Sequence, residues 1–141
     1  MKLLIDTNIV LDVLEQREPY YADSRQVMML CETGAVEGCV SVLTFANIVY
    51  IMRKSLDADK IQQIYEALSG VFTFIDLRAE DMAKASRMKW KDFEDALQAV
   101  TAGRIEADYI VTRNGKDFVD SSVPGMAPGE FLEYLHGLKN E

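Results

Sequence analysis

The segment Lys2-Leu3-Leu4-Ile5-Asp6-Thr7-Asn8 near the N-terminus is the strongest indication of the fold. Its short apolar run ends abruptly in a carboxylate, which predicts a buried β-strand that stops at Asp6. Similar short apolar runs occur at residues 38–42, 72–77 and 109–112. Because such runs are typical of strands buried on both faces, they predict a parallel sheet covered by helices on both sides.

Segments whose apolar residues have helical spacing separate these predicted strands. They cover residues 8–17, 20–33, 43–54, 58–69, 79–88, 92–106 and 128–138. Gly34 is a typical helix stop, Asp57 a candidate cap, and Pro128 a typical first helical residue. A short edge strand is expected near Met126. We therefore predict a single domain over residues 1–141, a three-layer αβα fold with a mostly parallel sheet of four or five strands.

The charge balance is acidic, with 15 Lys and Arg against 23 Asp and Glu, a net charge of −8. This balance argues against a nucleic-acid partner, because phosphate binding usually depends on surplus basic residues. Acidic residues that gather at one place can instead hold a cation, and the bound cation reverses the local charge. The composition therefore lowers the expectation of a nuclease without removing it.

Neither a membrane span nor a signal peptide is expected. No apolar run approaches the ~20 residues that a membrane-spanning helix needs, and the N-terminal apolar run meets an acid after three residues. Cys31 and Cys39 are isolated and lack the spacing of metal ligands. They indicate core cysteines of a reducing compartment, so we expect a cytoplasmic protein.

Acidic residues fall where the predicted strands end. Asp6 follows the first strand directly, and Asp117 lies a few residues after the fourth. Asp92 and Asp95 open the helix between them and, at ~60° apart, share one helical face, whereas Glu94 is expected to point away. In parallel sheets ligands bind beyond the carboxyl ends of the strands. Three segments thus deliver carboxylates to one end of the fold.

Clustered carboxylates repel one another unless a proton or a cation compensates them. Mg²⁺ or Mn²⁺ suits such oxygen ligands, and these ions activate water and stabilise displacement at phosphorus. Rival machinery is missing from the sequence. His136 is the sole histidine, and no P-loop, dinucleotide-binding glycine motif or serine-hydrolase motif occurs. A metal-dependent reaction at a phosphate ester is therefore the chemistry we expect.

Three blocks of sequence resemble, in order and spacing, the motifs of PIN-domain ribonucleases, the family of the VapC toxins. They are Ile5-Asp6-Thr7-Asn8, Asp95-Ala96-Leu97, and Ile110-Val111-Thr112-Arg113-Asn114 with Asp117-Phe118. The resemblance covers nearly the whole chain. It implies an endoribonuclease that depends on Mg²⁺ or Mn²⁺, is held by an antitoxin and forms a homodimer. It also implies that Asp6 and Asp95 are metal ligands, with Asn114 or Asp117 at the late acidic position.

The chain departs from the family pattern at two positions. The segment Ser41-Val42-Leu43-Thr44-Phe45-Ala46-Asn47 resembles the second motif but ends in Asn47, where the family has Glu. Asn114 stands where the family often has Asp. Asp92 and Asp117 are extra acids that can restore the lost charge. The combination of this Asn47 with the helix start Asp-Phe-Glu-Asp-Ala-Leu resembles a variant PIN subgroup, in which we expect Asn47 and Asn114 to orient metal-bound water.

We accordingly predict that Asp6 and Asp95, with Asp92 and Asp117, bind the ion and that the protein cleaves single-stranded RNA. Two alternatives stay open. One is a catalytically weak PIN module that binds RNA or a protein partner, because Asn47 removes a potential metal ligand. The other is a phosphohydrolase of small phosphate esters, although the sequence lacks the second Asp that aspartyl-phosphate enzymes place after strand one.

Several of these residues also have purely structural interpretations. Asp6 and Asp92 can each cap the helix that follows, and Asp117 can cap a short turn. Arg113 and Lys116 flank the acids and are candidate phosphate contacts, but both can equally be solvated surface residues.

Overall fold

The computed structural model describes residues 1–140, and a central β-sheet with helices on both faces accounts for most of them. The strands are β1 Lys2–Ile5, β2 Glu37–Ser41, β3 Thr73–Ile75, β4 Tyr109–Val111 and β5 Gly125–Met126. The helices are α1 Thr7–Leu14, α2 Tyr21–Glu32, α3 Val42–Ile51, α4 Ala58–Ser69, α5 Ala79–Met88, α6 Phe93–Arg104 and α7 Pro128–Lys139. The predicted αβα class and element order are confirmed, while α1 and α3 each end three residues earlier than expected.

The sheet has five strands in the order β3-β2-β1-β4-β5, and every neighbouring pair is parallel. Strand β1 is central, with Leu4 opposite Cys39 of β2 and Ile110 of β4. From β1 the chain first builds β2 and β3 on one side, then crosses to β4 and β5 on the other. The strand order therefore reverses at β1, and a crevice is expected at its carboxyl end.

The side chains of β1 alternate between two helical layers. Leu3 and Ile5 pack in the core that includes residues of α1, α2, α3, α4 and α7, whereas Leu4 packs with α6. All three are at most 1% exposed, and complete burial of such a side chain stabilises the fold by about 1.5–3 kcal/mol. Strand β1 therefore anchors Asp6, the next residue, to the buried centre of the sheet.

Small side chains bring α6 close to the sheet. Ala99 and Ala102 pack in one buried cluster with Leu4 and Ile110. Gly103 lies beside the hydroxyl of Ser122, 3.2 Å from where its own Cβ would be. The close approach of α6 brings its N-terminal turn to the carboxyl edge of β1.

The turn that follows β4 is held by two glycines. A Cβ on Gly115 would lie 2.9 Å from the carbonyl oxygen of Gly125, so a larger residue there would push the turn away from β5. Phe118, at the end of this turn, is buried in the core beneath α6. The turn is thereby fixed near the start of α6, and it carries Lys116 and Asp117.

The two cysteines are free thiols buried in the core, which confirms that prediction. Burial disfavours the thiolate and raises the pKa of Cys31 to about 12 and that of Cys39 to about 11. Thiols with such pKa values are poor nucleophiles and poor metal ligands at neutral pH. Within residues 1–140, every helix is too short or too polar to cross a lipid bilayer.

Candidate active site

A cavity of about 350 Å³ opens at the carboxyl end of β1, between α1, α3 and α6. Its polar wall is formed by carboxyl and amide side chains from all three helices and the end of β1: Asp6, Asn8, Asn47, Asp92, Glu94, Asp95 and Gln98. The structure thus brings Asp6, Asp92 and Asp95 together, as the strand-end argument predicts. Asn47, the last residue of the second motif, lines the same cavity.

The Asp6 carboxylate is held by three hydrogen bonds. Its Oδ1 accepts from the backbone N–H of Thr7 at 2.8 Å and from the Gln98 amide at 3.4 Å, and its Oδ2 accepts from the Thr112 hydroxyl at 2.9 Å. Asp6 is therefore both the N-cap of α1 and a cavity residue. Burial raises the pKa of Asp6, and the hydrogen bonds from Thr112, Thr7 and Gln98 oppose this rise.

Gln98 forms part of the cavity wall, although we did not predict it as a site residue. Its amide nitrogen also donates to the Thr44 hydroxyl at 3.2 Å, and the Thr7 hydroxyl donates to Thr44 at 3.1 Å. Gln98 is only 4% exposed, and its Oε1 has no hydrogen-bond partner. A buried acceptor without a partner costs about 1–3 kcal/mol, so this oxygen needs a water or a ligand.

Asp92 and Asp95 stand at the first turn of α6. Asp92 is the N-cap, and its Oδ1 accepts from the backbone N–H of Asp95 at 3.1 Å. Burial, followed by the negative charges of Asp92, Asp6 and Asp117, raises the pKa of Asp95 to about 7. The site therefore holds more negative charge than its surroundings neutralise, which favours a proton or a cation.

Glu94 corrects an expectation, because it lines the cavity instead of pointing away from Asp92 and Asp95. Its Oε2 accepts a hydrogen bond of 3.3 Å from the Asn47 amide. The helical angle between Glu94 and its neighbours on α6 placed its side chain on a separate face. Helix α3, however, lies beside the first turn of α6. The Glu94 side chain bridges to α3 and so reaches the cavity.

The donor chemistry of the cavity fits a hard divalent cation. Carboxylate and amide oxygens are the ligands that Mg²⁺ and Mn²⁺ prefer, and the unpartnered Oε1 of Gln98 adds a further acceptor. In the part of the chain described, no three His, Cys, Asp or Glu side chains are spaced to hold one ion. Ion binding therefore requires side-chain rotations that draw the carboxylates together.

A wider groove of about 1200 Å³ adjoins the cavity and shares Asp92, Glu94 and Asp95 with it. Lys116 and Asp117 line this groove and not the cavity itself. The Asp117 charge nevertheless contributes to the raised pKa of Asp95. Asp117 therefore stands beside the cavity, where a small movement of its turn would change its distance from the other acids.

A sequence profile of the PIN domain matches residues 2–116, which is most of the chain. The chain belongs to the PIN domain family. No significant match was found among curated proteins.

Solved structures give the same fold. A toxin–antitoxin complex from Klebsiella pneumoniae is 25% identical, with a TM-score of 0.67 over 89% of this chain and 97% of that one.

Two further solved structures match this PIN domain at lower identity. VapBC-1 from nontypeable Haemophilus influenzae is 16% identical, with a TM-score of 0.68 over 92% of this chain and 99% of the other. Mycobacterium tuberculosis VapC20, a sarcin-ricin-loop-cleaving toxin, is 10% identical, with a TM-score of 0.66 over 84% and 94%. At these identities the likeness concerns the fold.

In this PIN domain Arg113 is placed away from the cavity. Its guanidinium forms an ion pair with the fully buried Asp12, in which Nε lies 3.1 Å from Oδ2, and it stacks 3.9 Å from the Tyr20 ring centre. Ser24 donates to the same carboxylate. The guanidinium, a candidate phosphate contact or solvated surface group, is thus committed to Asp12, which would otherwise be a buried charge without a partner.

Asn114 is exposed and lines neither the cavity nor the adjoining groove. Its backbone N–H points to the Thr112 hydroxyl at 3.4 Å, so it supports the residue that holds Asp6. Of the two candidates for the late acidic position, Asp117 is the one that faces the groove. Thr112 and Thr44 both lay within the motifs we quoted, and their polar side chains inside apolar runs were the signal that we did not use.

Proposed function

We propose that this PIN domain is a metal-dependent endoribonuclease that cleaves single-stranded RNA with Mg²⁺ or Mn²⁺ and acts as the toxin of a toxin–antitoxin pair. The observation that carries the proposal is the convergence of Asp6, Asp92 and Asp95 in one cavity at the carboxyl edge of the sheet. Membership of the PIN family and similarity to toxin–antitoxin structures support it.

The residues at the cavity have different roles in this proposal. Asp6 and Asp95 would hold the ion, with Asp92 and Asp117 as additional acids beside them. A bound Mg²⁺ or Mn²⁺ would lower the pKa of a water bound to it and would stabilise the charge that develops on the phosphate. Thr112 and Gln98 fix the orientation of the Asp6 carboxylate, and Asn47 offers an amide that can orient water in the cavity.

The adjoining groove supports a single strand as the substrate. Lys89, Lys91 and Lys116 provide three cations for phosphates. Five acidic side chains line the same groove, so phosphate binding there also requires a metal ion among the acids. Phe93 is 45% exposed in the same groove and provides a ring on which an unpaired base can stack. A strand lying there would pass Asp92 and Asp95, which belong to both the groove and the cavity.

A protein partner and a homodimer are part of the same proposal. Helix α3 leaves three apolar side chains, Val42, Tyr50 and Ile51, between 42% and 66% exposed. Exposed apolar patches of this kind often mark protein contacts. The toxin–antitoxin complex among the similar structures favours an antitoxin as one such partner. The two free core thiols favour a cytoplasmic setting.

The test is cleavage of a labelled single-stranded RNA by the purified protein. We expect cleavage with Mg²⁺ or Mn²⁺, none after EDTA, and a loss of at least about a hundredfold in Asp6→Asn, as for other groups that stabilise a transition state electrostatically. Neutralising Asp6 removes charge from a site that already has Asn47 in place of a carboxylate. Asp57→Asn, at an exposed helix cap elsewhere, should cleave like the wild type.

Equal cleavage by the wild type and Asp6→Asn would mean that the activity belongs to a contaminant or to another site. The catalytically weak module that binds RNA or protein would then be the better interpretation.

A further inference from the structure

Asn47 contacts Glu94, and both residues differ from what we expected. Asn47 replaces a glutamate of the family motif, and Glu94 lines the cavity that it was expected to point away from. Asn47 occupies the position at which the second motif normally supplies a carboxylate, and its amide donates to the Glu94 carboxylate at 3.3 Å. Both side chains line the cavity that contains Asp6 and Asp95. An amide can hold a carboxylate in this way, whereas a glutamate at position 47 would repel it.

We infer that Glu94 supplies the carboxylate that the second motif lacks, so that the metal site takes a charge from α6 in place of one from α3. The inference rests on the proposed function, because it assigns Glu94 to the same ion as Asp6 and Asp95. In this arrangement Asn47 is a positioning residue, which holds Glu94 against the cavity from the facing helix.

A purely structural role explains Glu94 less well. A glutamate at the second residue of a helix is favoured by the helix dipole wherever its side chain points. Glu80 holds the same place in α5 and satisfies that preference on the surface. Glu94 instead reaches across to α3 and adds a negative charge beside Asp92 and Asp95, which is unfavourable without a cation.

Gln98 is an independent sign that the cavity takes a ligand. The residue is only 4% exposed and lines the cavity, and its Oε1 has no hydrogen-bond partner. Its amide nitrogen is already used by Asp6 and Thr44, so the orientation of the amide is set and the free oxygen is the group that remains. An ion or an ion-bound water supplies the partner that this oxygen lacks.

The experiment is calorimetric titration of Mn²⁺ into the full-length protein and four variants, with melting temperatures measured alongside. Glu94→Gln keeps the shape and the acceptor for Asn47 but removes the charge. We expect its Mn²⁺ affinity to fall at least about tenfold, the low end of the cost of disturbing a group around a metal. Glu80→Gln is the matched control and should bind like the wild type. The double variant Asn47→Glu/Glu94→Gln returns a carboxylate to α3 and should recover most of the affinity.

The fourth variant, Asp6→Asn, separates this inference from the proposed function. If Asp6→Asn weakens Mn²⁺ binding and Glu94→Gln does not, Glu94 is outside the site and the inference is overturned while the proposed function stands. If neither variant weakens binding, the ion lies elsewhere and both fail. A double variant that binds as poorly as Glu94→Gln would contradict the equivalence of positions 47 and 94.

Discussion

Single residues in this site serve structure and chemistry at once. Asp6 caps α1 and faces the cavity, and Asp92 caps α6 and faces the same cavity. The alternatives posed from sequence, cap or site residue, were therefore not exclusive. Their common cause is the strand-to-helix junction, where a short acidic side chain can accept a backbone hydrogen bond and still reach the crevice at the strand end.

Residue positions were predicted well where one element decides them and poorly where two elements meet. Asp6 follows from the end of a strand alone. Glu94 was misplaced, and the ion pair of Arg113 was not predicted, because their partners, Asn47 and Asp12, lie 47 and 101 residues away in the sequence. Gln98 was missed for the same reason, since only the fold brings it to Asp6. Pairings over such separations leave no local pattern in a single sequence.

The raised pKa of Asp95 predicts how stability depends on pH. Its carboxyl titrates near pH 7 in the folded protein and near 3.9 in the unfolded chain. Between these values the folded state holds the extra proton, so stability falls as the pH rises from 4 to 7. In EDTA, Asp95→Asn should melt about 3 °C above the wild type at pH 8, since a half-exposed carboxyl contributes about 1 kcal/mol after screening.

The difference in melting temperature between Asp95→Asn and the wild type should vanish near pH 4, where the wild-type carboxyl is protonated in the folded state. Melting curves at pH 4 and pH 8 check this directly. An equal advantage at both values would show that the effect comes from packing and not from charge.

At the scale of the element, α6 is the helix that builds the site. Its small residues Ala99 and Ala102 pack on the sheet, and its first turn carries Asp92, Glu94 and Asp95 to the end of β1. The sequence predicted the helix, because periodicity is a local property. It did not predict that α3 would lie beside this turn, since that contact depends on how both helices pack against the sheet.

Asp92→Asn separates the capping role from the charge at the start of α6. Asparagine caps a helix as well as aspartate, so the free energy of unfolding should change by less than about 0.5 kcal/mol. Cleavage and Mn²⁺ affinity should both fall, because the site loses a negative charge. The matched control is Asp57→Asn in α4, where Asp57 also caps through its side chain, accepting from the Lys60 N–H.

Thermal melting, RNA cleavage and Mn²⁺ titration of the two variants decide this point. Unchanged cleavage in Asp92→Asn, with the Asp57→Asn control also unchanged, would show that Asp92 is only a cap.

At the scale of the whole molecule, the site is a product of topology. The chain reverses its strand order at β1, so the segment after β1 meets the start of α6 and the segment after β4 at one edge, although roughly ninety to a hundred residues separate it from them. This arrangement followed from short apolar strands separated by helices, which local patterns show clearly. The depth of the cavity and the adjoining groove depend on how loops and helices pack, and local sequence patterns do not show this packing.

We propose that this acidic cavity binds a divalent metal ion. The most direct measurement is anomalous diffraction from crystals of the protein soaked in Mn²⁺, recorded near the manganese absorption edge. We predict a peak in the cavity, with oxygens of Asp6 and Asp95 at roughly 2–2.5 Å or one water further away, and a rotation of the carboxylates towards it. A well-occupied manganese peak outside this cavity, with Asp6 and Asp95 unmoved and the cavity empty, would contradict the account.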